Sequence, residues 1–447
     1  MIILWTDALI YLLLTTAMVS GFFLRNYEGL KRPLNKIAAN KSAMVSMIIL
    51  LFFVAIGLLD SLHFKAEGQR ASGIISVLDY CTQPLWQQTE KTYSAPFSAY
   101  LYSKAYITQA NGFQSWGFPR LKFGGSHLLN PEIEKTADVL IKLIVGLSKG
   151  FVFCISWVGL RALCLAKKAG QIRLQVRPGF MGITIIIVVV GLSGIIELST
   201  YYHILGTDKV GEDVFYQTIK SIRTGLVIGS LTTFIMLPLA VVFGILAGFY
   251  RGWVDDLIQY SYTTLNSIPS VLLIAASILM VQIYMVNHPE LFTNLESRAD
   301  LRLLFLCLIL GVTSWTGLCR MLRAETLKLR EMGYVQAAKV LGVRPIGILF
   351  QHILPNVMHI ILISVVLDFS ALVLAEAVLS YINVGVDPST YSWGNMINGA
   401  RLEMAREPVV WWPLIAAFVF MFILVLTANL FADAVRDAFD PRRNQHD

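Results

Sequence analysis

The chain has 447 residues, 56% of them apolar, and a formal net charge of +7 at pH 7. Soluble domains use roughly 45–50% apolar residues, so the composition excludes an ordinary soluble protein and predicts a membrane protein. The Lys and Arg residues lie mostly in short loops between apolar runs, as in proteins inserted with positive charge in the cytoplasm, and we expect no nucleic-acid partner. The Cys residues lack metal-ligand spacing, so we predict neither a metal site nor a disulfide framework.

Nine apolar runs match the roughly 20 helical residues that a hydrocarbon core of about 30 Å requires. Long continuous runs favour helices over the alternating strands of a β-barrel. We therefore predict an all-α, polytopic membrane protein with about nine transmembrane helices. Lys149 and Arg161 make the third run the weakest. The runs are 3–23, 44–59, 139–165, 180–198, 226–249, 257–286, 303–319, 357–382 and 412–432.

The basic residues between the runs predict how the chain crosses the membrane. If all nine runs cross, the five basic segments fall on one side, which the positive-inside rule places in the cytoplasm. The N-terminus then lies outside and the C-terminus lies in the cytoplasm. The basic residues are Arg25, Lys31, Arg32, Lys36 and Lys41; Lys167, Lys168, Arg173 and Arg177; Arg251; those between Arg320 and Arg344; and Arg436, Arg442 and Arg443.

Residues 61–136 form a polar segment between the second and third runs, which is too long for a simple hairpin. Aromatic residues such as Trp86, Tyr93, Tyr106 and Trp116 are dense there, which indicates some packed structure. The predicted crossings place this segment outside, where long segments escape the charge rule.

A polar turn at 205–215 precedes the fifth run. Thr207 and Asp208 are residue types that cap a helix start. Phe215, Ile219 and Ile222 fall on one face of the next two helical turns. We therefore expect an interfacial helix that leads into the span, with anchoring favoured over substrate contact. The polar and glycine positions of this turn are Gly206, Thr207, Asp208, Gly211 and Asp213.

The stretch 334–355 is polar, basic and interrupted by Gly and Pro between two long apolar runs. Its apolar positions recur at helical spacing from Tyr334 to Leu341, which predicts a short amphipathic helix that ends at Gly342 and Arg344-Pro345. A second helical turn follows through 346–353.

One side of this short helix is expected to meet a partner. Ala337, Ala338 and Gly342 give that side little bulk, which permits close approach, and Lys339 and Arg344 can pair with acidic groups. A helix that docks in a groove of another protein is the natural inference.

Asp368 and Glu376 lie inside the run 357–382, where an ionised carboxylate is costly and normally faces a bundle interior or an aqueous cavity. Eight residues place them within about 80° of each other around a helix. They are candidates for lining a translocation path, and pairing with a basic group of a neighbouring helix is the equally supported alternative.

These segments resemble the permeases of bacterial binding-protein-dependent ABC importers for peptides, dipeptides and nickel. Stretch 334–355 is similar to the coupling loop of that family, and turn 205–215 is similar to the turn before its core. Gln336 stands where Glu is usual, Glu212 where Arg is usual, and Asn383 where Gly is usual. The resemblance covers about 180–443 and includes 244–256, 266–273 with a helix-bending Pro269, 376–380, 392–401 and 429–442.

The resemblance implies a six-helix core of the type I ABC importer permease at 179–447, with a coupling loop at 331–356. That core is preceded by three parts. They are two transmembrane helices with a basic cytoplasmic loop at 1–60, a periplasmic insertion at 61–136, and one additional transmembrane helix with a basic cytoplasmic loop at 137–178. The implied location is the bacterial inner membrane.

The resemblance also implies a role and partners. Separate ATP-hydrolysing subunits receive the coupling loop, so ATP and magnesium bind on those partners and this chain holds no cofactor. No P-loop motif occurs in the chain, which agrees with ATP binding on the partner subunits. The implied partners are two ABC ATPase subunits, a homologous second permease, a periplasmic substrate-binding protein and membrane lipid. The implied coupling residues are Gln336, Ala337, Ala338, Lys339, Gly342, Arg344, His352, Leu354 and Pro355.

The interpretation is therefore a non-enzymatic permease subunit that moves peptides or similar small solutes. Two alternatives stay open. A secondary transporter driven by an ion gradient would use Asp368 and Glu376 as ion carriers. A sensing or assembly subunit would use segment 61–136 to bind a ligand. A membrane-embedded enzyme is disfavoured because no catalytic constellation is evident, and His352 and His359 are explained as solvated or structural.

Overall fold

The computed structural model describes residues 4–24, 28–65, 74–108, 114–169, 180–291 and 295–439. Helices dominate these residues, and the four strands are short. The helices are α1 (Trp5–Leu24), α2 (Glu28–Ala39), α3 (Lys41–Ser61), α4 (Val77–Cys81), α5 (Gln83–Gln87), α6 (Pro131–Ala169), α7 (Phe180–Ser199), α8 (Val214–Tyr250), α9 (Trp253–Ser267), α10 (Ser270–Asn287), α11 (Leu295–Ser314), α12 (Thr316–Arg330), α13 (Gly333–Val340), α14 (Pro345–Ile348), α15 (Leu354–Tyr381), α16 (Trp393–Glu403) and α17 (Trp412–Phe439).

Eight helical stretches in these described residues are long and apolar enough to cross a membrane. They are Lys41–Ser61, Pro131–Val158, Phe180–Ser199, Val214–Tyr250, Ser270–Asn287, Leu295–Arg330, Pro345–Tyr381 and Trp412–Phe439. The apolar part of the first predicted run, Trp5–Val19, is shorter than these eight. The prediction of an all-α polytopic membrane protein is confirmed, and a total of nine crossings requires α1 to cross as well.

The third predicted run lies within α6, which pairs closely with α7. Lys149 of α6 forms a 2.7 Å ion pair with Glu197 of α7. Gly146 and Gly150 face α7 so closely that a Cβ added to either would lie 2.8 Å from a Cβ of that helix. Small residues one helical turn apart let two membrane helices approach in this way. Glu197 of α7 thus pairs with Lys149, one of the two charged residues that make this run the weakest.

Helix α8 is central to the bundle and packs against α11, α12 and α15. Gly244 and Gly248 permit the contact with α12, because a Cβ at Gly244 would lie 2.8 Å from the Cys319 carbonyl oxygen. Two apolar clusters fill the interior, one centred on α8 and α12 and the other on α8, α10 and α11.

The predicted run 257–286 is two helices. Helix α9 ends at Ser267 and α10 begins at Ser270. Pro269 lies between them and has no N–H to continue the helical hydrogen bonds. The expected bend at Pro269 is therefore a complete break.

The start of α8 differs from our prediction. The side chain of Asp213 accepts hydrogen bonds from the N–H groups of Phe215 and Tyr216, at 2.8 and 3.2 Å. The predicted cap at Thr207 or Asp208 is wrong, because the backbone N–H groups of the first turn of α8 are capped by Asp213 and not by either of these side chains. The helix expected to lead into the span is continuous with it, because Val214–Tyr250 is one helix of 37 residues.

Segment 61–136 contains the strands, which pair as two small antiparallel sheets. Strand β1 (His63–Lys65) pairs with β2 (Ile74–Ser76), and β3 (Ala105–Thr108) pairs with β4 (Gln114–Gly117). The segment packs on the core through its aromatic residues, since the rings of Tyr93 and Tyr102 both meet Trp412 edge to face.

Candidate coupling and translocation site

The stretch 334–355 projects from the bundle as a helix, a tight turn and a second helix. Helix α13 ends before Gly342, whose positive φ of 78° lies in the left-handed region that glycine tolerates best. Arg344 begins the next helix, and Pro345 occupies its first turn. The predicted helix, its end and the second helical turn are thus all present.

The second helix continues into the membrane without a break. Helix α14 passes through one π-helical turn, Leu349–Ile353, directly into α15. A π-turn is a local irregularity that often occurs at functional sites. A displacement of this projecting element therefore acts directly on a transmembrane helix.

Buried side chains fasten the projecting element to the bundle. Val335, Ala338, Ile348 and Ile353 belong to the apolar cluster of α8 and α12. Ala338 is only 7% exposed, so the expected partner-facing side of Ala337, Ala338 and Gly342 is partly wrong: Ala337 and Gly342 are exposed, whereas Ala338 faces inward.

Polar contacts support the same attachment. Arg330 donates a 2.7 Å hydrogen bond to the Phe249 carbonyl at the end of α8. Arg323 of α12 forms two hydrogen bonds, of 2.6 and 2.7 Å, with Asp255 of α9. A bidentate pair of this kind fixes geometry as well as distance, so α8, α9 and α12 form a firm base for the element.

The outer surface of the element is apolar and basic. Val340 and Leu341 are 87% and 81% exposed, and Ile346 and Phe350 are also exposed. Exposed apolar residues that are contiguous mark interaction sites in soluble regions. Sequence reasoning missed these four residues, although their size and position beside Gly342 could have indicated them.

The remaining predicted coupling residues divide into exposed and packed positions. Lys339 and Arg344 are exposed and form no ion pair with another described residue. Gln336 donates a 3.0 Å hydrogen bond to the Arg330 carbonyl, and the ring of His352 packs beside Tyr334. Leu354 packs against the α8 and α12 cluster, whereas Pro355 is exposed.

Asp368 and Glu376 lie in different surroundings on α15. Glu376 is buried, accepts a 2.7 Å hydrogen bond from Ser380, and lies against Gly394 at the start of α16. Asp368 is half-buried and forms no hydrogen bond or ion pair with any other residue in the described ranges. Neither carboxylate has a basic partner in the described residues. The alternative interpretation, in which each pairs with a basic group of a neighbouring helix, is therefore not supported there.

The turn at 205–215 is enclosed by segment 61–136. Thr207 accepts a 2.7 Å hydrogen bond from the Ser94 N–H, and its carbonyl accepts one of 2.9 Å from the Trp412 indole. Asp208 accepts hydrogen bonds from Val210, Glu212 and Gln217. A Cβ at Gly206 or Gly211 would overlap a carbonyl oxygen of the segment. The turn is thus a docking point between the segment and the core.

His203 adds an ionic contact beneath this turn that the sequence did not indicate. Its Nδ1 lies 2.6 Å from Asp213, and its Nε2 lies 3.7 Å from Glu90, too far for a hydrogen bond but close enough for charge attraction. Burial by itself would lower the pKa of His203, but the two carboxylates outweigh burial and raise the pKa to about 9.

A second ionic cluster joins α1 to the core, and sequence reasoning missed it too. Arg223 of α8 lies 2.7 Å from Asp7 of α1 and 3.8 Å from Asp300 of α11. Thr6 also hydrogen-bonds to Asp300, and His63 lies 3.1 Å from Asp7. We call these five residues the α1 cluster. The available signal was the position of Asp7 near the start of the first apolar run, 3–23.

Comparison with known proteins gives one matching family and many relatives. Residues 240–445 match the family described as "Binding-protein-dependent transport system inner membrane component". The dipeptide transport system permease protein DppC of Lactococcus lactis is 31% identical over 243 residues, 54% of this chain and 65% of that protein. The oligopeptide transport system permease protein OppC of Mycobacterium tuberculosis is 31% identical over 239 residues, 54% of this chain and 76% of that protein.

Two further similarities extend the comparison. The glutathione transport system permease protein GsiD of Pectobacterium atrosepticum is 29% identical over 241 residues, 54% of this chain and 73% of that protein. Among solved structures, an inward-facing form of the MetNI methionine ABC transporter covers 50% of this chain and 97% of its own chain at 16% identity. Its TM-score of 0.38 is too low to add to the assignment.

Proposed function

Because the chain belongs to the family of binding-protein-dependent transport system inner membrane components, we propose that it is the permease subunit of an ATP-driven importer. The observation that carries the proposal is the projecting element at 334–355, within the implied coupling loop at 331–356. This element is continuous with α15 and presents an exposed apolar and basic surface. Such an element can receive force from another subunit and pass it to the membrane helices.

The proposed cargo is peptides or similar small solutes. The relatives that support this class are named for dipeptide, oligopeptide and glutathione transport. Asp368 and Glu376 are the candidate residues of the translocation path, and Asp368 is the stronger of the two because it has no partner in the described residues.

The proposed complex contains four kinds of partner. Two ABC ATPase subunits bind ATP and magnesium, a homologous second permease completes the path, a periplasmic binding protein delivers the solute, and lipid surrounds the spans. The chain itself performs no catalysis and holds no cofactor. In the bacterial inner membrane, the basic loops favour a topology with the C-terminus and the projecting element in the cytoplasm, on the same side as the proposed ATPases.

Docking to the ATPase subunits is proposed to use the outer surface of the projecting element. Val340, Leu341, Ile346 and Phe350 supply apolar area, and Lys339 and Arg344 supply positive charge for acidic groups on the partner. A short helix that inserts its exposed apolar side chains into a groove gains affinity mainly from a few such residues.

The substitution Leu341→Glu tests this proposal. A charge placed among desolvated apolar contacts is expected to cost about 2 kcal/mol or more, which is a roughly 30-fold loss of affinity. The chain is co-expressed with candidate ATPase, second-permease and binding-protein subunits from the same genome, and both ATPase co-purification and ATP-dependent peptide uptake into proteoliposomes are measured. Leu129→Glu is the matched control, because Leu129 is 85% exposed in segment 61–136.

The expected result is that Leu341→Glu loses both signals and Leu129→Glu keeps them. Uptake driven by an ion gradient without ATPase subunits would instead establish the secondary transporter. ATP-dependent uptake that persists when this chain is omitted would establish the sensing or assembly subunit.

A further inference from the structure

A large apolar groove separates the first helices of the chain from the core. Its volume is about 650 Å³, and it lies between α1 and α3 on one side and α8 and α15 on the other. Leu14, Val54, Leu226, Phe234 and Phe369 are among the side chains that line it. Helices α1 and α3 form one wall of the groove, so the groove depends on the N-terminal helices.

The groove is too large to stay empty, and its lining is too apolar to hold water. Protein interiors leave few voids larger than a water molecule, and water enters a cavity only where polar groups can bind it. Thr16 is exposed on its wall and Phe234 is 38% exposed, so the groove opens to the surroundings of the protein. Those surroundings are the bilayer, because α3, α8 and α15 are apolar enough to cross a membrane.

The groove is long enough to span one leaflet. On α8 the lining residues run from Arg223 to Leu237, which is about 21 Å at a rise of about 1.5 Å per residue. One leaflet of a hydrocarbon core is about 15 Å thick. The groove therefore extends from a polar end, formed by Arg223 and Ser61, through the depth of a leaflet.

The polar end offers little to a polar solute. Arg223 already donates to Asp7 at 2.7 Å, and Ser61 donates to the Gly57 carbonyl at 3.1 Å. A transported peptide would leave its own backbone groups unsatisfied against the remaining walls. A hydrocarbon chain has no such groups, and its own length follows the groove.

We propose that the groove is a binding site for an acyl chain of a bilayer phospholipid, in the leaflet that contains the α1 cluster. The lipid completes the seam between the N-terminal helices and the core, where α1 and α3 leave the surface of α8 uncovered. The site rests on the membrane location of the chain and not on its cargo.

Photolabelling tests the site directly. The full chain is placed in nanodiscs of phosphatidylethanolamine and phosphatidylglycerol with a trace of phosphatidylethanolamine that carries a diazirine in the middle of one acyl chain. Labelled peptides are mapped by mass spectrometry. We expect enrichment in the peptides that contain Leu14, Val54 and Phe234 over those of α6 and α10, which carry many apolar side chains with a larger exposed fraction.

A filled groove provides the second arm. Val54→Trp places bulk in the groove, and groove labelling is expected to fall about tenfold or more, as for displacement of two or more methylenes. Leu51→Trp is the matched control on the same helix, because Leu51 is 57% exposed and does not line the groove. Ser230→Phe fills the groove from the α8 wall if Val54→Trp does not fold.

Uniform labelling of all lipid-facing helices, or labelling unchanged in both filled variants, would overturn the proposal. Displacement of the label by an excess of peptide would also overturn it, because the groove would then belong to the path of the cargo. None of these outcomes depends on ATPase coupling, so failure here leaves the proposed transport function standing.

Discussion

His203 is held between Glu90 of segment 61–136 and Asp213 at the start of α8, and only 3% of its surface is exposed. Its pKa is raised from the ordinary 6.5 to about 9. Folding therefore favours the protonated ring, and the resulting stabilisation is full below about pH 6.5 and disappears as pH rises through about 9. This one side chain links the docking of segment 61–136 to pH.

The substitution His203→Gln should lower the thermal unfolding midpoint most at about pH 6 and progressively less toward pH 10, because only the charged ring is stabilised by the two carboxylates. The measurement is thermal unfolding in nanodiscs across that range. His288→Gln is the control, because His288 hydrogen-bonds to the Tyr284 carbonyl and stacks on the Tyr284 ring within its own helix. A difference that stays constant with pH would show that His203 acts through packing alone.

At the scale of elements, two glycines with the same backbone conformation have different surroundings. Gly211 has a φ of 83° in the turn before α8, and Gly342 has a φ of 78° in the projecting element. A Cβ at Gly211 would overlap the Glu90 carbonyl oxygen, whereas nothing lies within 4 Å of a Cβ at Gly342. Gly211 therefore serves a close contact between elements, and Gly342 serves only the turn itself.

The pair of substitutions Gly211→Ala and Gly342→Ala separates these two effects. Both alanines bear the cost of a left-handed backbone, about 1 kcal/mol, but only Gly211→Ala must also push segment 61–136 away. We expect Gly211→Ala to be the more destabilising by about 1–3 kcal/mol, measured as denaturant or thermal unfolding. Equal losses would mean that the segment does not rest on the turn.

At the scale of the whole molecule, charge pairs between distant parts of the chain hold the N-terminal helices against the core. The α1 cluster ties α1 to α8 and α11, and Lys220 of α8 lies 2.5 Å from Asp79 of segment 61–136. Buried charges of this kind are costly to separate, because each one left alone has lost its hydration. The additional N-terminal region is thus attached at specific points rather than loosely appended.

Removing the central cation tests that attachment. Arg223→Gln leaves Asp7 and Asp300 buried without their positive partner, and we expect a loss of about 3–5 kcal/mol of stability. Lys328→Gln, which breaks an exposed pair with Glu325, should cost less than about 1 kcal/mol. The double variant Arg223→Gln with Asp7→Asn should recover part of the loss in a double-mutant cycle. Additive losses would indicate that Arg223 and Asp7 do not interact.

Apolar runs, Gly, Pro and charge predicted the class of fold, most span positions, and the helix, turn and helix of the projecting element. The errors arose where long-range contacts decided the outcome. Thr207 is a residue type that caps helices, yet its hydroxyl accepts a hydrogen bond from the N–H of Ser94, which is more than a hundred residues away. Ala338 follows the pattern of an exposed face, yet α8 and α12 cover it. Asn383, where the family pattern has Gly, adopts a φ of 61° that Asn tolerates better than most residues.

The α1 cluster also constrains how the chain is made. Asp7 and Arg223 are 216 residues apart, so at about 5–20 residues per second the partner of Asp7 is synthesised about 10–40 s after it. During that interval Asp7 lacks its Arg223 partner, and a charge without that partner is costly inside the bilayer. Helix α1 can therefore make its contacts with α8 and α11 only after both have been synthesised, which makes its attachment a late step of biogenesis.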